Sequence, residues 1–298
     1  MSSTSSSSKR LSSDEPFSEA DIFYEILDSE VFVDVSKLRK ASRNGIPDQL
    51  RPIVWKYLLG IEKPDRSNEL SLRKERAIRY LEMDKTDTYL GKKIRAEVNR
   101  YFQRLGKTCV FDQSEDPTRF ESIICAYLNT NNQIEYNTSF VQLCAPFVHI
   151  IPEDYDAYYC FERLMSILDD YSSSNFTNQQ VFRFLSYFRT QLPELYSDLE
   201  EEEINFSEFV PQWLNYILAP QLNLQNTFRL WDVYFSMPNF LEFHPFVCIS
   251  ILFSLKESLE DLEHSEIKSI IFRLPEIDIP SIINHATNLR SKMTHHVQ

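Results

Sequence analysis

Only four glycines, Gly45, Gly60, Gly91 and Gly106, occur in 298 residues. That scarcity constrains the fold more than any other feature. β-Hairpins use glycine for the left-handed backbone of their tight turns, and dinucleotide-binding folds use it where the backbone approaches a phosphate. A chain with so few favours helices joined by short polar loops. Fourteen prolines suit helix starts and linkers. Apolar residues make up 43% of the chain and aromatics 13%, enough for a substantial core. No strand-like alternation and no internal repeat is found, so the expected fold class is all-α.

Residues 1–14 are polar and serine-rich and are expected to be a disordered tail. The first helix is expected to start at an Ser18 N-cap, and a second to cover Asp34 to Ser42 and close at Gly45 in the left-handed conformation. Leu50, Val54, Leu58 and Ile61 mark a third, and Ser67 to Met83 a charged fourth with Leu72, Ile78 and Leu81 on its buried side. Beyond it lies a helix over 91–105, then one capped by Asp116 that turns Phe120, Ile123, Ile124 and Tyr127 inward. Two apolar helices follow over 135–151 and 152–170. Next come a loop from Tyr171 to Asn178 and helical patterns over 181–199, 206–220, 221–236, 241–259, 264–274 and 280–292.

The net charge of −13 argues against a surface that tracks nucleic-acid phosphates and better suits a basic partner. Five scattered cysteines, an odd number among apolar neighbours, predict reduced core thiols in a cytoplasmic protein. No apolar run reaches membrane-spanning length, so no transmembrane segment is expected. Gly106-Lys107-Thr108 imitates the end of a phosphate-binding loop. The glycine required five residues before its final glycine is replaced by Tyr101, and the segment follows a helix rather than a strand. There is no HExxH, CxxC or GxSxG pattern, so neither a metal nor a nucleophilic active site is expected. If such a chain affects a reaction, the expected route is to add a residue to another protein's active site.

Residues 91–105 read GKKIRAEVNRYFQRL. On a helix, Ile94, Val98, Tyr101, Phe102 and Leu105 form one apolar stripe. Lys93, Glu97, Arg100 and Arg104 form a second, turned away from the first. Glu97 and Arg100 are surface neighbours three residues apart, so the carboxylate can aim the guanidinium. Two readings stand at this point: a solvated, salt-bridged face, or an arginine presented to a phosphate. Arg51 and Trp55, four residues apart, read as scaffold.

Several motifs, in order, resemble the TBC domain, an all-helical GTPase-activating module for Rab-type small GTPases. Gly45-Ile46-Pro47 with Arg51 and Trp55 resembles its opening motif, and Ile94, Glu97 and Arg100 resemble I-x-x-D-x-x-R with Glu in place of Asp. Leu143 to Pro146, Asp156-Ala157-Tyr158 and the run Phe228 to Phe235, which contains Trp231 and Asp232, continue the series. The resemblance covers about Ala41 to Ser236. It implies a TBC domain over 41–236, preceded by helices over 15–40 and followed by helices over 237–298 of the same globular unit. The stretch APFVHIIPEDYDAYYCFERLM further resembles the branch of the family that works in mitotic-exit and septation control.

By this resemblance Arg100 is an arginine finger supplied in trans, with Glu97, Arg104 and Tyr136 as supports. Arg51, Trp55, Trp231 and Asp232 are structural motif residues. The family's second catalytic motif, Y-x-Q-G, aligns with Tyr136, Thr138 and Ser139, so Thr138 stands where the family has its glutamine. Gln133 and Gln142 lie nearby but out of register. The resemblance implies a Rab-type GTPase as partner, with GTP and Mg2+ bound by that partner and no cofactor held by this chain. It also implies a cytoplasmic protein that reaches membranes through the GTPase. Two functions follow: an activator working through Arg100, or a catalytically weak scaffold that binds a GTPase or a partner subunit in a regulatory complex.

Overall fold

The computed structural model describes residues 19–105, 117–172 and 176–295. The serine-rich tail, the Ser18 cap, the Asp116 cap and the Gly106-Lys107-Thr108 segment lie outside them. Among the described residues the chain is helical, with no strand and a single isolated β-bridge between Phe32 and Asp65. The first half comprises α1 (Glu19–Leu27), α2 (Val35–Ser42), α3 (Arg51–Leu58), α4 (Glu69–Glu82), α5 (Thr88–Leu105), α6 (Pro117–Thr130), α7 (Ser139–Ile150) and α8 (Asp154–Ser172). The second half comprises α9 (Phe176–Gln191), α10 (Pro193–Glu201), α11 (Phe206–Asn215), α12 (Leu224–Ser236), α13 (Phe240–Leu259), α14 (His264–Phe272) and α15 (Ile279–His295).

Local chemistry sets many of these boundaries. Asp34 accepts from the Ser36 and Lys37 amides, Asn205 from Ser207 and Asn223 from Asn226, each supplying an acceptor to the open first turn of a helix. Proline stands in the first turn of α3 and of α10, where its missing N–H has no helical partner to lose. Gly45 has φ of +107°. The backbone there calls for glycine, and the guanidinium of Arg229 on α12 lies in the space a Cβ would take, 1.4 Å from Nη1.

Asp232 on α12 is fully buried and ties this turn to α3 and α12. Its carboxylate accepts from Arg51 Nε at 3.0 Å, Arg51 Nη2 at 3.1 Å, Trp55 Nε1 at 2.7 Å and the Ile46 amide at 3.1 Å. Arg51 also lies over the ring of Phe228, 5.3 Å from its centroid. Around the carboxylate sits an aromatic cluster. Trp55 meets Phe147 of α7 edge-on at 5.7 Å and Phe235 at 5.0 Å, and Trp231 meets Phe147 at 5.6 Å. This cluster is where α3, α7 and α12 join.

Three expectations are corrected. α4 turns the other way: Leu81 is 75% exposed and Ile78 46%, while Tyr80 is buried. Its inner face is polar because Arg73 and Arg76 reach the buried carboxylate of Glu62, and Arg76 also approaches Asp156. Lys56 of α3 completes this cluster with a 2.7 Å bond to Asp156. Buried acids, not leucines, therefore choose the inward face of α4. Second, the loop expected over 171–178 is shorter, because α8 runs on to Ser172 and α9 begins at Phe176. Third, the helix expected over 206–220 stops at Asn215, where Ile217 and Leu218 adopt positive φ and turn the chain into α12.

At the junction of α11, α12 and α13, His244 is buried between two partners. Tyr234 donates its hydroxyl to Nδ1 at 2.6 Å, and Nε2–H donates to the Trp213 carbonyl at 2.7 Å, which assigns the neutral Nε2–H tautomer. Burial lowers the His244 pKa to about 4.

Two predictions follow. The buried indole N–H of Trp231 reaches no acceptor, whereas that of Trp55 bonds a carboxylate. Trp55→Phe should therefore cost about 1.5–3 kcal/mol more than Trp231→Phe in denaturant unfolding, and equal losses would contradict the role given to Asp232. For His244, the unfolded chain takes up a proton near pH 6.5 that the folded chain refuses until about pH 4. Its contribution to stability is full above pH 6.5 and falls by roughly 3 kcal/mol as pH drops to 4. His244→Gln should flatten the stability profile in that window relative to wild type; an unchanged slope would contradict it.

Candidate functional site

α5 carries Ile94, Val98 and Tyr101 into the core against α6 and α7. Its solvent face carries Lys92, Lys93, Arg95, Arg100 and Arg104, all exposed. The helix contains one acid, Glu97, and that acid is buried at 6% exposure. Sequence periodicity set Glu97 on the outer stripe with the arginines. It lies instead at the boundary of the two stripes, between Ile94 and Val98, where α7 covers it. Two cationic donors and one neutral donor offset the cost of its burial.

The donors are specific. Arg100 Nε lies 2.9 Å from Glu97 Oε2, and Arg104 donates from Nη2 to Oε1 at 2.8 Å. Gln142 of α7 donates from Nε2 to the same Oε1 at 3.2 Å. The Arg100 side chain is 60% exposed and that of Arg104 49%. Each guanidinium is thus anchored at one edge on a buried carboxylate and leaves its remaining donors toward solvent. Such a fork matches phosphate oxygens, and on a face without exposed acid nothing on the helix repels an anion.

Tyr136 stands beside this unit. Its hydroxyl is buried and makes no hydrogen bond. Burial pushes its pKa up to about 12, Glu97 adds to the rise and Arg100 opposes it, so the phenol lies within the electrostatic reach of both. Two residues on, Thr138 is exposed at the start of α7, and the cap of that turn comes from its neighbour: Asn137 Oδ1 accepts from the Ser139 amide at 2.8 Å. Thr138 brings a hydroxyl but no amide. Arg51, Trp55, Trp231 and Asp232 are remote from solvent in the aromatic cluster and belong to the scaffold behind α7.

From Arg104 and Gln142 an open groove of about 650 Å3 runs past Pro146 and Gln221 to Arg273 and Glu276. Among the described residues no group of His, Cys, Asp or Glu side chains is arranged to hold a metal ion. No helix among them is long and apolar enough to cross a membrane. Four cysteines, Cys125, Cys144, Cys160 and Cys248, are buried free thiols, and Cys109 lies outside the described residues.

Gln142 is the residue the sequence reading set aside. The signal was present: it is the lone amide in the buried run Phe140 to Val148, and a buried polar side chain within an apolar run needs a partner. What periodicity could not supply was the partner, which lies 45 residues away on α5.

Comparison with known proteins bears on the fold and the family. The family model described as the Rab-GTPase-TBC domain matches residues 48–260, which includes α13. The chain is 26% identical over 292 residues to the GTPase-activating protein gyp1 of Schizosaccharomyces pombe, a match covering 86% of this chain and 57% of that protein. It is 24% identical over 275 residues to human TBC1 domain family member 22A, covering 81% and 53%. It is 25% identical over 253 residues to the putative mitotic check point protein BUB2 of Dictyostelium discoideum, covering 82% and 63%. The chain thus spans between about half and two thirds of the length of these curated relatives. Among solved structures, the Ypt/Rab-GAP domain of Gyp1p superposes with a TM-score of 0.78 at 19% identity, over 92% of this chain and 98% of that one. A Chlamydomonas flagellar RabGAP TBC domain gives 0.60 at 16% identity, over 90% and 84%. The all-α fold is that of these domains, and the family match takes in most of the chain from α3 to α13. The chain belongs to the Rab-GTPase-TBC domain family.

Proposed function

We propose that this protein is a GTPase-activating protein for a Rab-type small GTPase and that it acts by presenting Arg100 to the phosphates of the bound nucleotide. The observation that carries the reading is the exposed Arg100 guanidinium held on the buried Glu97 carboxylate, on a helix face with no exposed acid. GTP hydrolysis is slow because charge builds on the phosphates and the attacking water is poorly placed. An arginine supplied in trans offsets that charge, an effect worth about 10³–10⁵ in kcat where it has been assigned. Glu97 orients Arg100 as the family's aspartate would, with one more methylene of reach. Arg104 shares the carboxylate and keeps Glu97 from drawing off the whole of the Arg100 charge. GTP and Mg2+ belong to the GTPase, and through it the protein works at membranes. Similarity to the Dictyostelium putative mitotic check point protein supports a place in a mitotic checkpoint branch of the family.

Thr138 limits the mechanism. It is too short to hold water as a glutamine amide does, so this chain contributes the arginine half of the catalytic pair. The water is oriented by the GTPase's own glutamine, or hydrolysis runs with reduced efficiency. The same substitution favours a second reading, a scaffold that binds a GTPase or a partner subunit without accelerating hydrolysis.

Single-turnover GTP hydrolysis by a panel of Rab-type GTPases, with and without this protein, separates the two. On a responding GTPase, Arg100→Ala should abolish most of the acceleration, and Arg100→Lys should also be impaired because lysine keeps the charge and loses the fork. Stability should fall by only about 1–2 kcal/mol, since the buried Glu97 carboxylate loses one donor but keeps Arg104 and Gln142. Thr138→Gln should speed hydrolysis. Full activity in Arg100→Ala would remove the arginine from the mechanism. No response of any GTPase to wild type or to Thr138→Gln would leave the scaffold reading in its place.

A further inference from the structure

Glu97 is the only acid of α5, and what fixes it decides where Arg100 points. Arg100 and Arg104 cannot do this themselves. Both belong to the same helix as Glu97, both are half exposed or more, and each touches the carboxylate at one edge. A long surface side chain held at one point keeps much of its rotamer freedom. Among the described residues one hydrogen bond ties the carboxylate to another helix: Gln142 Nε2, on α7, donates to Glu97 Oε1 at 3.2 Å.

Gln142 is 8% exposed, so little of its side chain reaches the groove that it lines. Its own carbonyl oxygen, Oε1, is buried and accepts no hydrogen bond. A flipped amide would set that oxygen against the Glu97 carboxylate, so the donor orientation is the one electrostatics allows. A side chain that leaves its acceptor unpaired to keep its donor on one carboxylate is committed to that carboxylate. The reach also matches. Glu97, one methylene longer than the aspartate of the resemblance, brings its carboxylate to the α7 amide and both arginines together.

From this geometry we infer that Gln142 is a positioning residue: it fixes Glu97 from α7 and thereby holds the Arg100 guanidinium in the direction in which it meets phosphate. The inference rests on the activator reading for its consequence in hydrolysis, but the positioning itself is independent of that reading. It also links Arg100 to the core, because α7 carries Phe147, which packs on Trp55 and Trp231.

Two measurements on the full chain test it. The first is the side-chain Nε–H NMR signal of Arg100, assigned by its absence in Arg100→Lys. In wild type the signal should be ordered and displaced from the free-arginine position. In Gln142→Met, which keeps the volume and removes the donor, it should move to that position and become mobile. Gln142→Leu, which also removes the donor and leaves Glu97 and both arginines in place, should do the same. It decides the matter if Gln142→Met does not fold. An Arg100 signal unchanged in the folded variants overturns the proposal. The second is single-turnover hydrolysis on a GTPase that wild type accelerates. Gln142→Met should lower the saturating rate about tenfold, with little change in the concentration needed for half-maximal effect. In a Glu97→Ala background, Gln142→Met should lower it no further, because Gln142 acts through Glu97. Additive losses, or a saturating rate that stays at the wild-type value, overturn the proposal. If no GTPase responds to wild type, the activator reading fails, and the NMR result alone decides whether Gln142 positions Arg100.

Discussion

The buried carboxylate of Asp232 holds together parts of the chain that lie about 180 residues apart. A carboxylate in a core is tolerated only when its acceptor sites are filled. Here Arg51 fills two, the Trp55 indole one and the Ile46 amide another, so all four donors come from three residues within 46–55. Burial raises the Asp232 pKa, while Arg51, Trp55 and the Ile46 amide oppose the rise. The glycine before Ile46 completes the joint, because its missing side chain leaves room for Arg229 one turn before Asp232. Residues that look like separate sequence motifs are the two sides of one hydrogen-bonded joint.

That joint reaches the solvent face through packing. Trp55 and Trp231 both press on Phe147, so α7 is seated by the aromatic cluster that surrounds Asp232. α7 in turn carries Gln142, which bonds Glu97, which holds Arg100 and Arg104. An unbroken sequence of contacts therefore runs from the buried Arg51–Asp232 ion pair to an exposed guanidinium. A protein that lends one arginine to another protein's reaction needs this kind of support, because an arginine on a mobile loop would lose much of its interaction energy to ordering.

Much of this was legible in the sequence. Glycine scarcity and helical periodicity fix the all-α class, and the ordered motifs identify the family that the model match then supplies. Arg100 on the outer face of α5 follows from Ile94, Val98 and Tyr101 turning inward. Other features were hidden for a common reason: periodicity ranks residues by polarity, whereas burial of a charge depends on partners from distant helices. Glu97 looked solvent-facing because nothing local shows that α7 lies over it. Leu81 and Ile78 looked buried because nothing local shows that Arg73 and Arg76 are drawn inward by Glu62 and Asp156. The end of α11 at Asn215 was missed because Ile217 and Leu218 adopt a left-handed backbone usually left to glycine or asparagine.

The central claim is that the guanidinium held on Glu97 acts on charge that develops only in the transition state. The most direct measurement is complex formation between this protein and a responding Rab-type GTPase loaded with GDP, with and without aluminium fluoride, which mimics the transferring phosphoryl group. The account predicts a stable complex with GDP and aluminium fluoride, a much weaker one with GDP alone, and loss of the difference in Arg100→Ala. Equal binding in the two nucleotide states, or a fluoride-dependent complex that survives Arg100→Ala, would contradict it.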